Sequence, residues 1–225
     1  YIGWEPDAVD HNDAAYIGIT DKGVDPKNGR FMPWWYRNTD GSLALEKLAS
    51  LEDQTLLSTG VRSSEYYFCP KETRKPCVID PAPYPLGGKV VMLSSFITPI
   101  MISGAFQGIV GADLSVNFIQ DMLTAADKKL YDGAGEMALI ATNGGLVAYT
   151  KDPTKLGQKA TTILDANEVD NLSKISLGEV RYDVDKEHGH IEVYMPFGIG
   201  ATDARWTLMI QLPLTAVMAD LNKLQ

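Results

Sequence analysis

The stretch Phe106-Gln-Gly-Ile-Val-Gly-Ala-Asp-Leu-Ser115 runs directly into Val116-Asn-Phe-Ile-Gln-Asp-Met-Leu123. The first part is rich in apolar and β-branched residues, which favours a strand. Ser115 is a suitable N-cap for a helix that begins at Val116. Apolar residues then recur at helical spacing, at Phe118, Ile119, Met122 and Leu123. The sequence therefore predicts a strand that leads into an amphipathic helix.

The remainder of the chain repeats this pattern. Upstream, Lys89 to Leu114 reads as a β-hairpin, and Asn143-Gly144 is a strong hairpin signal between two further strand patterns. The predicted strands of the second half are 136–142, 146–150, 178–184, 191–196 and 206–212. Pro213 then opens a second amphipathic helix. The fold class is α+β, with antiparallel sheets flanked by helices and a boundary near residues 118 to 134.

Composition restricts the function. The 225 residues are 45% hydrophobic and 22% charged, as in ordinary globular proteins. A net charge of -9 argues against a nucleic-acid partner and mildly favours cationic ligands. No apolar run approaches the roughly 20 residues of a membrane helix.

Catalytic and metal-binding motifs are missing from the sequence. There is no Gly-x-Ser-x-Gly elbow, phosphate-binding loop or His-Glu-x-x-His. Asp10-His-Asn-Asp13 could be drawn as a metal cluster, but adjacent loop residues rarely converge on one ion. We therefore predict no enzyme activity, no cofactor and no metal.

The run Arg30-Phe-Met-Pro-Trp-Trp-Tyr36 combines two indoles, a phenol and a methionine. It reads as the wall of a small-molecule pocket, where a cation over an indole face gains roughly 0.5 to 2 kcal/mol. A place in the hydrophobic core is the alternative.

Four segments, in order, resemble double Cache domains, the periplasmic sensor modules of chemoreceptors and sensor kinases. Arg30 to Tyr36 is similar to the Tyr-x-x-Arg-x-Arg-Pro-Trp-Tyr segment of that family. The other three are the Trp-Glu-Pro opening within 1–10, the Gly-Ile-Val-Gly-Ala-Asp strand end at 108–113, and the strand, turn and loop at 136–157.

The resemblance implies two PAS-like Cache modules. Residues 1–124 would form the membrane-distal module with the ligand pocket, and 125–225 the membrane-proximal module, whose C-terminal helix leads to the membrane. The long N-terminal helix of the family is absent from this chain. The whole would be the periplasmic part of an inner-membrane receptor that is a homodimer at full length, with membrane contact through flanking segments.

The resemblance also implies ligand contacts. Arg30 matches the first Arg of the motif, Met32 replaces the second, which binds a ligand carboxylate, and Trp34 and Trp35 occupy the Trp and Tyr positions. Asp113 matches the strand-end Asp that receives the ligand ammonium. Capping the helix after Ser115 is the alternative role of Asp113.

The opposite side of the pocket has two possible registers. Ser64-Glu-Tyr-Tyr67 matches the start of the family's segment, and Ile79-Asp-Pro-Ala-Pro-Tyr84 matches its position before the following hairpin; the second register is preferred. Asp80 and Tyr84 are then candidate contacts, with Tyr66 or Tyr67 as a further contact from the insertion. Residues 66–78 would then be an inserted hairpin closed by a disulfide between Cys69 and Cys77. Free thiols are the alternative for the cysteines, and a plain β-edge role is the alternative for the tyrosines.

These features together predict a chemoreceptor sensor domain for a small cationic amine, such as a polyamine, biogenic amine or quaternary amine, which is bound and not transformed. The alternatives are a sensor for amino acids, purines or other zwitterions or anions, with Arg30 serving the anion, and a sensor domain of a histidine kinase. A secreted hydrolase and a structural adhesion module are more remote.

Overall fold

The computed structural model describes residues 1–20, 23–176 and 178–222. Eleven strands are assigned in this part of the chain: β1 (Ile2–Trp4), β2 (Pro33–Arg37), β3 (Leu43–Lys47), β4 (Cys77–Leu86), β5 (Lys89–Ile102), β6 (Ala105–Ser115), β7 (Glu136–Ile140), β8 (Leu146–Tyr149), β9 (Arg181–Asp185), β10 (His190–Gly198) and β11 (Arg205–Pro213). The α-helices are α1 (Glu65–Thr73), α2 (Val116–Asp127), α3 (Ala166–Ser173) and α4 (Leu214–Asn222).

The strands form three sheets. One has the order β1-β6-β5-β4, one has the order β8-β7-β11-β10-β9, and β2 and β3 form a separate pair. Strand β1 lies antiparallel to β6, with Ile2 opposite Val110 and Trp4 opposite Gly108. The predicted α+β fold with antiparallel sheets is thereby confirmed.

Cα packing divides the chain into two compact units. The first unit comprises residues 1–79, 85–90 and 95–113, and the second comprises 80–84, 91–94 and 114–225. Helix α2 belongs to the second unit and packs against β7 and β8. None of the helices in the described residues is both long and apolar enough to cross a membrane.

The core of the second unit lies on one face of its five-stranded sheet. Alternate residues of β7, such as Ala138 and Ile140, point into it, as strand periodicity requires. The remaining members of this cluster are Leu146, Tyr149, Ala160, Leu164, Ile175, Tyr194 and Met209. The predicted Asn143-Gly144 turn joins β7 to β8, and Gly144 adopts a positive φ of 84°.

Residues 66–78 are not the hairpin that the sequence predicted. Residues 65–73 form helix α1, because Tyr66, Tyr67 and Pro70 have the spacing of one helical face and are buried together. Arg74 ends the helix in the left-handed conformation, and its N–H donates to the Pro70 carbonyl over 3.0 Å. A disulfide joins Cys69 in α1 to Cys77 at the start of β4, with their Cα atoms 6.3 Å apart.

Candidate functional site

The aromatic run lies largely on a strand. Trp34 and Trp35 belong to β2, where Trp34 pairs with Glu46 and Trp35 with Leu45 of β3. Side chains alternate along a strand, so Trp34 is buried and Trp35 is 41% exposed. Met32, just before β2, is 1% exposed. Of the two indoles, Trp34 is therefore the one that faces the interior of the first unit.

Asp113 lies near the end of β6 in the first unit. The Ser95 hydroxyl on β5 donates to its Oδ1 over 2.6 Å, and the Trp34 side chain lies near enough to the carboxylate to favour its charged form. Burial raises the pKa of Asp113, and the Ser95 hydrogen bond opposes the rise because it favours the charged form. The structure thus brings together Asp113 and Trp34, two of the predicted contact residues, and adds Ser95, to which no sequence motif pointed.

Tyr66 lies near this carboxylate. The phenol is buried, and its ring meets the Tyr1 ring edge to face at a centroid distance of 5.7 Å. Burial, and to a smaller extent the charge of Asp113, raises the pKa of Tyr66. Gly111 leaves room for Tyr1, since a Cβ there would lie 2.4 Å from the Tyr1 ring. An aromatic cluster therefore lies beside the Asp113 carboxylate.

The charges around Asp113 are few. The backbone nitrogen of Tyr1 donates to the Gly111 carbonyl over 2.9 Å. Within the part of the chain that the structure describes, no Lys or Arg side chain pairs with Asp113. The carboxylate can therefore accept a cation supplied by a ligand.

Arg30 is engaged within the protein. Its side chain is 4% exposed and pairs with Glu5 over 3.3 Å and with Glu52. Its Nε also donates to the Trp4 carbonyl over 2.6 Å. Glu5 and Glu52 are distant from Arg30 in sequence, which is why local motifs did not reveal them. Arg30 is consequently a structural residue of the first unit. All three nitrogens of its guanidinium group donate hydrogen bonds within the protein.

Asp80 and Tyr84 are assigned to the second unit, and both are buried in β4. The Asp80 carboxylate accepts from the backbone amides of Asn143 over 3.0 Å and Gly145 over 3.3 Å. Burial raises the pKa of Asp80, and these amide hydrogen bonds oppose the rise. Asp80 thus holds the turn between β7 and β8.

One group of side chains has the composition of a metal site. Asp165, Asp185 and His188 offer ligand atoms that lie within 4.8 Å of one another. Their atoms already bond to protein groups: His188 Nδ1 is 2.8 Å from Asp185 Oδ2, and Asp165 Oδ1 accepts from the Glu168 amide over 2.9 Å. His188 itself is exposed.

Known proteins resemble this chain over almost its full length, although no family model matches it. It is 25% identical over 220 residues to the methyl-accepting chemotaxis protein TlpQ of Pseudomonas aeruginosa, covering 97% of this chain and 30% of TlpQ. The extracellular domain of the proposed histidine kinase mmHK1S-Z3 superposes with a TM-score of 0.73 at 25% identity, covering 100% of this chain and 76% of that one. The ligand-binding domain of the P. aeruginosa PAO1 amino acid chemoreceptor PctB, in complex with L-Arg, superposes with a TM-score of 0.52 at 16% identity, covering 85% and 68%.

These relatives agree with the sequence-based expectation of an extracytoplasmic sensor domain of the kind found in chemoreceptors and histidine kinases. The predictions of a Cache-like sensor fold and of a periplasmic location are confirmed at this level. The chain spans about 30% of the length of TlpQ, so the similarity concerns the sensor domain and not the signalling activity of the whole receptor.

Proposed function

We propose that this domain is the ligand-binding part of a chemoreceptor and that it recognises a small cationic amine in its first unit. The ligand is bound and released unchanged. Binding biases the domain between two conformations, and the extent of that bias is set by the difference in ligand affinity between them. In the full-length receptor, two copies would carry the signal across the membrane.

The observation that supports an amine is the environment of Asp113. Its carboxylate is partly buried among Trp34, Tyr66 and Ser95, whose side chains are neutral. Burying a carboxylate is costly unless a cation compensates it, and an ammonium group is a natural partner. The Trp34 and Tyr66 rings supply apolar surface for the ligand body.

The missing carboxylate clamp favours amines over amino acids. Met32 occupies the motif position of the carboxylate-binding arginine and is 1% exposed. Arg30 already pairs with Glu5 and Glu52. A ligand carboxylate placed here would lose its hydration without a cationic partner, at a cost of about 1 to 3 kcal/mol. The proposal therefore rests on Asp113, Trp34 and Tyr66.

Trp35, Asp80 and Tyr84 have weaker support as contacts. Trp35 is 41% exposed on β2, and the Asp80 carboxylate already accepts amides of the Asn143 turn. Amino acids are the competing class of ligand, because PctB is a structural relative whose complex contains L-Arg. They are therefore included in the binding measurements below.

Calorimetry on matched pairs tests the proposal. Histamine is compared with histidine, and putrescine with ornithine, so that only the carboxylate differs within each pair. We expect the amine of each pair to bind more tightly. Tighter binding of both amino acids would contradict the proposal.

The variant Asp113→Asn tests the residue itself. Loss of one partner of a desolvated charge pair should weaken the preferred amine by about 2 to 4 kcal/mol. Asp121→Asn is the matched control, because Asp121 is an exposed acid of α2. Unchanged affinity in Asp113→Asn would remove Asp113 from the site.

A further inference from the structure

Helix α1 carries a cysteine close to a residue of the proposed amine site. Tyr66 lies in the first turn of the helix and is 5% exposed, and Cys69 follows three residues later. At the usual rise of an α-helix, the two residues are about 4.5 Å apart along the helix axis and on neighbouring parts of its surface. A disulfide joins Cys69 to Cys77 at the start of β4. The bond therefore lies within one helical turn of Tyr66.

Helix α1 is weak by its own sequence. It has nine residues, whereas isolated helices shorter than about 12 to 15 residues are marginal in water. Pro70 lies inside it and has no N–H, so it cannot donate the helical hydrogen bond to the carbonyl of Tyr66. At the other end, the Ser64 hydroxyl donates to the Ser50 carbonyl over 2.5 Å and caps no helix amide. The helix must therefore be held by contacts outside itself.

Little packing holds the C-terminal end of α1, because residues 72–76 are all exposed. Lys71 pairs with Glu5 over 2.9 Å, and Glu72 pairs with Arg62 over 3.0 Å. The side chains of Lys71 and Glu72 are 38% and 56% exposed, so solvent screens both pairs. The disulfide is therefore the strong restraint on this end of the helix.

A dithiol reductant can open the bond. Cys77 is buried and Cys69 is half-buried, so the sulfur of Cys69 is the accessible point of attack. A thiolate of the reductant forms a mixed disulfide with Cys69, and Cys77 leaves as a thiolate. The second thiol of the reductant then displaces the Cys69 sulfur. The reductant ends as a disulfide, and both cysteines, having received two electrons in all, take up one proton each.

We propose that the bond between Cys69 and Cys77 holds Tyr66 in the amine site, so that ligand affinity falls when the two cysteines are reduced. The inference rests on the proposed function at Asp113, because Tyr66 contacts the ligand only in that site. With the bond open, α1 occupies its ordered position for part of the time, and the apparent affinity falls in proportion to the ordered fraction. In an oxidising compartment the bond is closed and the site has its higher affinity.

Calorimetry on the 225-residue domain measures the effect. Histamine, histidine, putrescine and ornithine are first tested on the native domain, and the compound that binds most tightly becomes the probe. The variant Cys69→Ser with Cys77→Ser should bind the probe about tenfold more weakly, which corresponds to an ordered fraction of about one tenth. The native domain reduced with dithiothreitol should show the same loss and regain its affinity on reoxidation.

Leu48→Ala is the control for a general loss of stability. Leu48 is 3% exposed in the core of the same unit and lies outside α1, so its truncation destabilises the unit without opening the disulfide. The affinity of Leu48→Ala for the probe should equal that of the native domain. An equal loss of affinity in Leu48→Ala and in the serine variant would overturn the inference.

A second measurement needs no variant and decides the question if the serine variant folds poorly. Binding free energies are coupled reciprocally, so a probe that binds the oxidised domain about tenfold more tightly must favour the disulfide by the same factor. The oxidised fraction is measured by thiol alkylation in mixtures of reduced and oxidised dithiothreitol. Saturating probe should raise the midpoint ratio of reduced to oxidised dithiothreitol about tenfold. An unchanged midpoint would overturn the inference.

The outcomes separate this inference from the proposed function. If Asp113→Asn weakens the probe while reduction and the serine variant do not, the inference is wrong and the proposed function stands. If reduction weakens the probe while Asp113→Asn does not, the bond acts on a site other than the one at Asp113, and both are wrong. Both are also wrong if none of the four compounds binds the native domain.

Discussion

The Ser95 hydroxyl on β5 donates a hydrogen bond of 2.6 Å to Oδ1 of Asp113 on β6. The bond favours the charged carboxylate, whose pKa burial raises. Ser95→Ala should therefore raise the pKa of Asp113 further. The measurement is an NMR titration of the Asp113 carboxyl carbon. Thr98→Ala, at an exposed hydroxyl of the same strand, should leave this pKa in place, and an unchanged pKa in Ser95→Ala would contradict the role given to Ser95.

Arg30→Met tests the ion-pair network of the first unit. Removing Arg30 takes away the hydrogen bonds it donates to Glu5 and Glu52, but Glu52 is 56% exposed and solvent screens it, so the free energy of unfolding should fall by about 1.5 to 3 kcal/mol. The control is Arg37→Met, since Arg37 is exposed and donates to the Gly41 carbonyl at the surface. Chemical denaturation measures both variants. A similar small loss in each would mean that solvent screens the Arg30 pairs.

Glu168 should make stability depend on pH. Burial raises the pKa of this carboxyl, and the charges of Asp165, Glu192 and Glu136 raise it further. The folded state therefore binds this proton more tightly than the unfolded state does. Its contribution to stability is complete below the ordinary pKa of glutamate and is lost as pH rises through the raised pKa.

The variant Glu168→Gln has no such proton to lose. Relative to the native domain, its free energy of unfolding should shift upward as pH rises from about 4 to about 7. Thermal unfolding across this range measures the difference, and Glu179→Gln, at an exposed acid, should run parallel to the native domain. Parallel curves for Glu168→Gln and the native domain would show that Glu168 titrates normally.

The disulfide should stabilise the first unit. Cys69 and Cys77 are eight residues apart, and closing so short a loop stabilises by about 2.5 kcal/mol in the chain-entropy treatment. The double variant Cys69→Ser with Cys77→Ser should lose about this amount in denaturant titrations. Thiol titration of the unfolded, non-reduced domain provides the independent check. Two reactive thiols there would contradict the bond.

Short sequence motifs predicted the turns and helix starts that depend on neighbouring residues in the chain. The β7–β8 turn follows from the backbone freedom of Gly144, and the passage from β6 into α2 follows from a change of apolar period near Ser115. Helix α1 was missed because Pro70 and the flanking cysteines suggest a loop, whereas burial of Tyr66 and Tyr67 stabilises the helix.

Long-range partners could not be predicted in this way. Asp80 bonds to an amide 63 residues away, and Arg30 finds Glu5 and Glu52 at separations of 25 and 22 residues. Such pairs depend on which strands become neighbours, and that is decided by the packing of the whole unit. The family resemblance placed Asp113 and Trp34 together because it carries three-dimensional information that spacing alone does not, and their role as ligand contacts stays a prediction.

Strand β11 ends at Pro213, and α4 begins at Leu214, with no loop between them. The junction is further tied by a hydrogen bond of 2.8 Å from the Leu214 amide to the Gly189 carbonyl, before β10. A flexible loop between a strand and a helix would absorb a small displacement of the strand without moving the helix. The β11–α4 junction has no such flexible residues, so a change in the tilt of β11 would reorient α4. Inserting glycines between Pro213 and Leu214 would uncouple the two elements.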